Sequence, residues 1–117
     1  MNKKIKQYSI NQNASLKEAI KKISSNIYKT LVILNTKKVV GILSEGDIIR
    51  AMYNNVNYIS PVNKYMTTHF RFISKKNEVD KVINFYKKYN ISIVPVCDKS
   101  FNLNDIILIP EIIKKKL

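Results

Sequence analysis

Apolar residues recur along the chain with two periods, and each period occurs twice. Between residues 16 and 23 they fall at Leu16, Ala19, Ile20 and Ile23, and further on at Val79, Val82, Ile83 and Tyr86. Spacings of three and four place each set on one face of a helix. Ser15 stands three residues before Glu18, and Asn77 three before Asp80, which gives both predicted helices a start signal. A short β-branched run follows each helix, Leu31 to Leu34 and Ile93 to Val96, and ends in a polar turn at Asn35 or Asp98. A second apolar run comes next, Val39 to Leu43 and Leu103 to Leu108. Runs of this length and composition predict buried strands. Each pair of strands leads into a further helix, at Ser44-Glu-Gly-Asp47 and at Ile109-Pro-Glu111, where Pro110 suits a first helical turn. One more short strand is predicted ahead of each first helix, around Ile5 to Ser9 and Arg71 to Ser74.

The two series keep the same order at an offset of about 63 to 64 residues, so the chain reads as an internal repeat. Each half is strand, helix, strand, strand, helix. The expected fold class is α/β (α+β), with residues 1–54 as the first repeat, 69–117 as the second, and the Asn-, Ser- and Thr-rich stretch 55–68 around Pro61 as a linker. A unit of roughly 45 residues is too small to bury a stable core alone. The two are therefore expected to pack sheet to sheet about a pseudo-twofold axis, burying Leu31, Ile33, Ile42, Val94, Val96 and Ile106.

Composition narrows the function classes. With 45% hydrophobic residues and only two glycines in 117, the chain is globular, and no apolar run approaches the ~20 residues of a membrane span. The N-terminus lacks a signal-type apolar core, which points to the cytoplasm and away from a membrane. One cysteine and one histidine exclude an internal disulfide and a zinc site supplied by the protein alone. A net charge of +13 raises nucleic acid as a partner. However, arginine occurs only at Arg50 and Arg71, and lysines are spread in pairs such as Lys21-Lys22 and Lys87-Lys88, which reads as a solvated surface. There is no glycine-rich phosphate loop, no Ser/His/Asp set and no metal spacing, so neither an enzyme nor a bound cofactor is expected.

The chemistry that remains sits at the first strand-to-helix corner. A hydroxyl at Ser44 beside free N–H groups and the positive end of a helix can hold a phosphate. A carboxylate three residues on, Asp47, can accept both hydroxyls of a ribose. Gly41 admits close approach of backbone or base, and Arg50 could add charge toward a phosphate tail. The same Ser44-x-x-Asp47 spacing is also an ordinary capping box, and the spacing leaves both readings open.

These residues resemble those of the cystathionine-β-synthase (CBS) domain pair, the Bateman module. The resemblance rests on Leu31-Val-Ile-Leu-Asn35, on Val39-Val-Gly-Ile-Leu-Ser-Glu-Gly-Asp-Ile-Ile-Arg50, on the joint Pro61-Val62 with Tyr65-Met66-Thr67, and on Tyr89-Asn-Ile-Ser-Ile-Val-Pro-Val-Cys-Asp98. It implies tandem CBS repeats that bind an adenosine nucleotide, AMP or ATP, at Ser44, Asp47, Gly41, Ile42, Lys29, Thr30 and Arg50, with the base against the strand around Lys29 to Leu31. It also implies a homodimer formed through the helices and regulation of a fused or partner enzyme. Ser44 to Arg50 and Asp105-Ile-Ile-Leu108 are similar to the branch that precedes a sugar-nucleotide nucleotidyltransferase, which is expected C-terminal to this segment. In the second repeat Asp105, Leu108 and Glu111 replace the family's glycine, hydroxyl residue and aspartate, so only the first corner is expected to bind. The alternatives are a CBS scaffold used for dimerisation alone, or a basic nucleic-acid-binding protein.

Overall fold

A computed structural model describes residues 2–75 and 77–116, and the chain divides into two compact units, Met1–Phe70 and Arg71–Leu117. The first unit contains α1 (Lys3–Tyr8), β1 (Ser9–Asn11), α2 (Leu16–Ser24), β2 (Thr30–Asn35), β3 (Lys38–Ser44) and α3 (Glu45–Tyr53). β1 runs parallel to β2, and β2 antiparallel to β3. Where a strand was expected from Ile5 to Ser9 the chain is helical, because Asn2 caps α1 by accepting the Ile5 N–H at 2.7 Å. Pairing is thereby displaced to Ser9–Asn11. α2 follows the predicted periodicity, with Leu16, Ala19 and Ile23 buried and Ser15 Oγ accepting the Glu18 N–H at 3.1 Å.

The stretch expected as a linker, 55–68, is packed into this unit. Val62 is fully buried in the cluster of Leu16, Leu31, Ile33 and Leu43. Its backbone is tied down on both sides: the Leu16 N–H donates to Ser60 O at 2.9 Å, the Val62 N–H to Ala14 O at 2.9 Å, and Ile42 bridges to Thr67. The compact unit accordingly runs on to Phe70.

The second unit contains α4 (Val79–Tyr89), β4 (Ile93–Cys97), β5 (Leu103–Leu108) and α5 (Ile109–Lys116). β4 and β5 pair antiparallel, and the strand expected at 71–74 is reduced to one parallel bridge from Ile73 to Val96. Asn77 does not cap α4. The residue at that position is Glu78, whose carboxylate turns back to accept the N–H groups of Ser74 and Lys75, each at 3.1 Å.

The repeat is written into the hydrogen bonding. Ile10 faces Ile33 in the first unit as Ile73 faces Val96 in the second. Both hairpins carry a register shift at the matching place, Ile33/Leu34 and Val96/Cys97. The first N–H of α3, at Glu45, donates to Lys29 O at 3.1 Å, and that of α5, at Ile109, to Ser92 O at 2.8 Å. The β-α-β-β-α order is thus present in both units, with the leading strand of the second shrunk to one bridge. Leu31, Ile33, Val94, Val96 and Ile106 are at most 2% exposed. Ile42 is only half-buried, because the pleat of β3 buries its neighbours Gly41 and Leu43 instead. Among the described residues no helix is long and apolar enough to cross a membrane, and no three His, Cys, Asp or Glu side chains group to hold a metal.

Candidate functional site

β3 runs directly into α3, and Ser44 is the junction. Its extended backbone frees the side chain to cap the helix, and Ser44 Oγ accepts the Asp47 N–H at 3.3 Å. Asp47 completes the capping box, with Oδ2 accepting the Ser44 N–H at 2.8 Å and the Ser44 hydroxyl at 3.1 Å. Its other oxygen, Oδ1, accepts the Thr67 hydroxyl at 3.2 Å and pairs with the Arg50 guanidinium. Four donors thus converge on a carboxylate that is 7% exposed. A carboxylate offers about four acceptor positions, so this one is saturated from within the chain. The cap reading of the Ser44-x-x-Asp47 spacing is realised, and any diol must displace one of these donors.

Thr30 lies directly opposite Ser44 across the β2–β3 ladder. Before it, Lys29 takes a left-handed φ of 52°, a region a lysine enters only under constraint. The constraint is Asn26, 1% exposed. Its Oδ1 accepts the Lys29 N–H at 2.7 Å and its Nδ2 donates to Thr30 O at 3.2 Å. A buried amide therefore shapes the loop that borders the N-terminus of α3. The Lys29 ammonium itself points away to Ser24 O, at 3.0 Å, and the Thr30 hydroxyl donates to Tyr28 O at 3.0 Å.

Gly41 and Ile42 meet the chain itself. The Ile42 N–H donates to Thr67 O at 3.0 Å and the Thr67 N–H to Ile42 O at 2.8 Å. A Cβ on Gly41 would stand 2.6 Å from Met66 Sδ and 2.9 Å from Thr67 O. Glycine is needed here because residues 66–67 cross so closely. Gly46 differs: a Cβ there would have ordinary clearance, 3.6 Å, from both Ser44 Oγ and Arg50 Nη1. Its absence leaves open the space between a hydroxyl and a guanidinium at the positive end of a helix.

The structure thus gathers Ser44, Asp47 and Arg50, sets Thr30 beside them, and separates Gly41 and Ile42 under Thr67. Thr67 and Asn26 complete the corner and were not singled out from sequence as part of it. Asn26 gave a weak signal, an Asn in a helix-to-strand loop. Thr67 stood out only within the Tyr65-Met66-Thr67 joint, with nothing to tie it to Asp47 twenty residues away. In the second unit Leu108 occupies the place of Ser44, opposite Ile93, and Asp105 is buried and accepts the Ile106 N–H at 2.8 Å. Cys97, also in this unit, is fully buried, and burial, followed by the neighbouring Asp98, pushes its thiol up to about 11.

Residues 1–54 match the CBS domain family. A 17.7 kDa protein of Acidianus ambivalens is 27% identical over 113 residues, 96% of this chain and 68% of that one. Among solved structures, a CBS domain protein from Pyrobaculum aerophilum complexed with AMP superposes with a TM-score of 0.73 at 20% identity, over 92% of this chain and 88% of that one. The CBS domain pair of protein MJ0100, in complex with 5′-methylthioadenosine and S-adenosyl-L-methionine, gives 0.76 at 28% identity, over 93% and 86%. Along nearly its whole length the chain has the α+β fold of CBS-domain proteins.

Proposed function

We propose that the chain is a cytoplasmic regulatory module that binds one adenosine nucleotide, of the AMP or ATP type, at the Ser44–Asp47 corner and thereby modulates a fused or partner enzyme. The observation that carries this reading is the space left by Gly46 between Ser44 Oγ and Arg50 Nη1. A phosphate there meets the Arg50 guanidinium and the positive end of α3, and the Ser44 hydroxyl once it turns from Asp47 Oδ2. The Arg50 side chain is 70% exposed and can swing to a phosphate, and the Oδ1 lone pair it leaves on the buried Asp47 is re-paired by a ribose hydroxyl. The relatives solved with AMP and with S-adenosyl-L-methionine support the adenosine class. The resemblance of Ser44 to Arg50 to one branch of the family makes a nucleotidyltransferase the partner proposed. Homodimerisation belongs to the same reading, and α3 offers a second copy the exposed apolar side chains Ile49, Met52 and Tyr53.

A second reading, a scaffold that binds no nucleotide, is favoured by one observation: the Asp47 carboxylate is already saturated. Gly46→Ala separates the two. Alanine is the better helix former by about 0.5–1 kcal/mol, and the added methyl fills only the open space. The variant is expected to fold at least as stably as the wild type while the melting-temperature rise given by AMP or ATP is lost. An equal rise in both proteins excludes this corner, and no rise in either at millimolar nucleotide leaves the scaffold.

A further inference from the structure

Beside α3 lies an open cleft of ≈ 360 Å³ that borders the nucleotide corner at Asp47 and Arg50 and extends beyond it. Asp47, Arg50, Ala51 and Asn54 supply one wall, one stripe of α3 at helical spacing, and Asn55, Val56, Lys64 and Tyr65 the other. Ser44, Gly46, Lys29 and Thr30 take no part. The volume falls in the range of small-molecule sites.

The chemistry of the walls is asymmetric. Ala51 is buried, and Val56 and Tyr65 pack against the core, so part of the surface is apolar and held in place. Arg50 and Lys64 bring two positive charges against the single carboxylate of Asp47, which Arg50 already neutralises. Of the five N–H donors of a guanidinium, that contact uses one. Among the described residues Lys64 has no acidic partner. The C-terminal end of α3 would ordinarily repel an anion. Here two of its last four carbonyls are covered, with Asn54 Nδ2 donating to Arg50 O at 2.8 Å and the Asn54 N–H to Ala51 O at 3.0 Å. Asn55 adopts φ 55°, turning the chain back to close the cleft with an unspent side-chain amide.

We infer that this cleft is a second binding site, sharing Arg50 with the proposed nucleotide corner, for a small organic anion. Its acidic head lies between Arg50 and Lys64, and its apolar or aromatic body lies on Ala51, Val56 and Tyr65. The shared chemistry is one carboxylate or one phosphate on a ring-sized body.

The test is an amide NMR titration of the full chain with phenyl phosphate, with benzoate, and with neutral benzyl alcohol. Saturable shifts are expected at Ala51, Asn54, Asn55 and Tyr65 with at least one of the two anions, and the tighter of them names the head group. Lys64→Gln is expected to weaken binding roughly three- to tenfold, the loss of one partly exposed charge-assisted contact. Lys38→Gln, the removal of an exposed lysine on β3, leaves it unchanged, and Lys64→Gln leaves the melting-temperature rise given by AMP unchanged, so failure of the nucleotide reading and failure of this one are distinguishable. No saturable shift at these amides with either anion, equal binding of benzyl alcohol, or equal loss in Lys64→Gln and Lys38→Gln overturns the inference.

Discussion

At the scale of single residues, the corner is shaped by what the chain does to itself. Gly41 is the clearest case. A methyl there would overlap Met66 Sδ, which can move, and Thr67 O, which is backbone paired to Ile42 and cannot move freely. Gly41→Ala is therefore expected to destabilise the fold by about 1–3 kcal/mol and to loosen the Thr67 hydroxyl from Asp47. Urea unfolding checks the first effect and the Thr67 amide shift the second. Neither change would be seen if the glycine served only to admit a ligand. Cys97 gives a prediction of the opposite kind, set by burial. The folded thiol keeps its proton up to about 11, whereas an unfolded one loses it near 9.0. Its contribution to stability is thus complete below pH 9.0 and is lost as pH rises through about 11. The stability difference between the wild type and Cys97→Ala should narrow over that window, and a difference that is constant or grows with pH contradicts the burial argument.

At the scale of elements, the periodic signals were legible and the local exceptions were not. α2, α4 and both hairpins follow from apolar spacing alone, because each helix buries one stripe and β2 and β4 are apolar runs buried on both faces. α1 escaped notice because Ile5 to Ser9 alternates weakly, while the decisive feature is a single cap, Asn2. The stretch 55–68 read as a linker from its polar composition, yet one residue, Val62, anchors it in the core through contacts far apart in sequence. At the candidate site, Ser44, Asp47 and Arg50 were visible because they lie within one turn of one another. The Thr67 contact depends on tertiary approach, and Asn26, whose bonds to Lys29 and Thr30 are local, left only the weak mark of an Asn in a loop. The start of α4 makes an element-scale prediction. Glu78 holds the preceding turn through the N–H groups of Lys75 and Ser74, and these backbone bonds, with a smaller contribution from Lys81, hold its carboxyl below the ordinary 4.5. The turn is then intact above that value and released as pH falls through the lowered one. Amide shifts of Ser74 and Lys75 should titrate together with a midpoint below 4.5. Independent midpoints, or a common one above it, would show that the carboxylate does not organise the turn.

At the scale of the molecule, two copies of one supersecondary unit have kept the same ladder and lost the same chemistry unequally. The first copy ends β3 in a hydroxyl and opens α3 with a glycine and a saturated aspartate, and the second ends β5 in Leu108 and opens α5 with Pro110 in its first turn. Fold is held by the pairing that both share, and binding is assigned to the corner that only one retains. The +13 charge is set on dispersed lysines and does not alter that assignment. The measurement that tests it most directly is a calorimetric titration of the wild-type chain with AMP beside its 2′-deoxy analogue, since the account makes the ribose diol a ligand of Asp47. One AMP per chain is expected, with the deoxy compound weaker by roughly tenfold, the loss of one hydrogen bond to a charged group. Equal affinity for the two, two equivalent sites per chain, or no heat at millimolar nucleotide would contradict it.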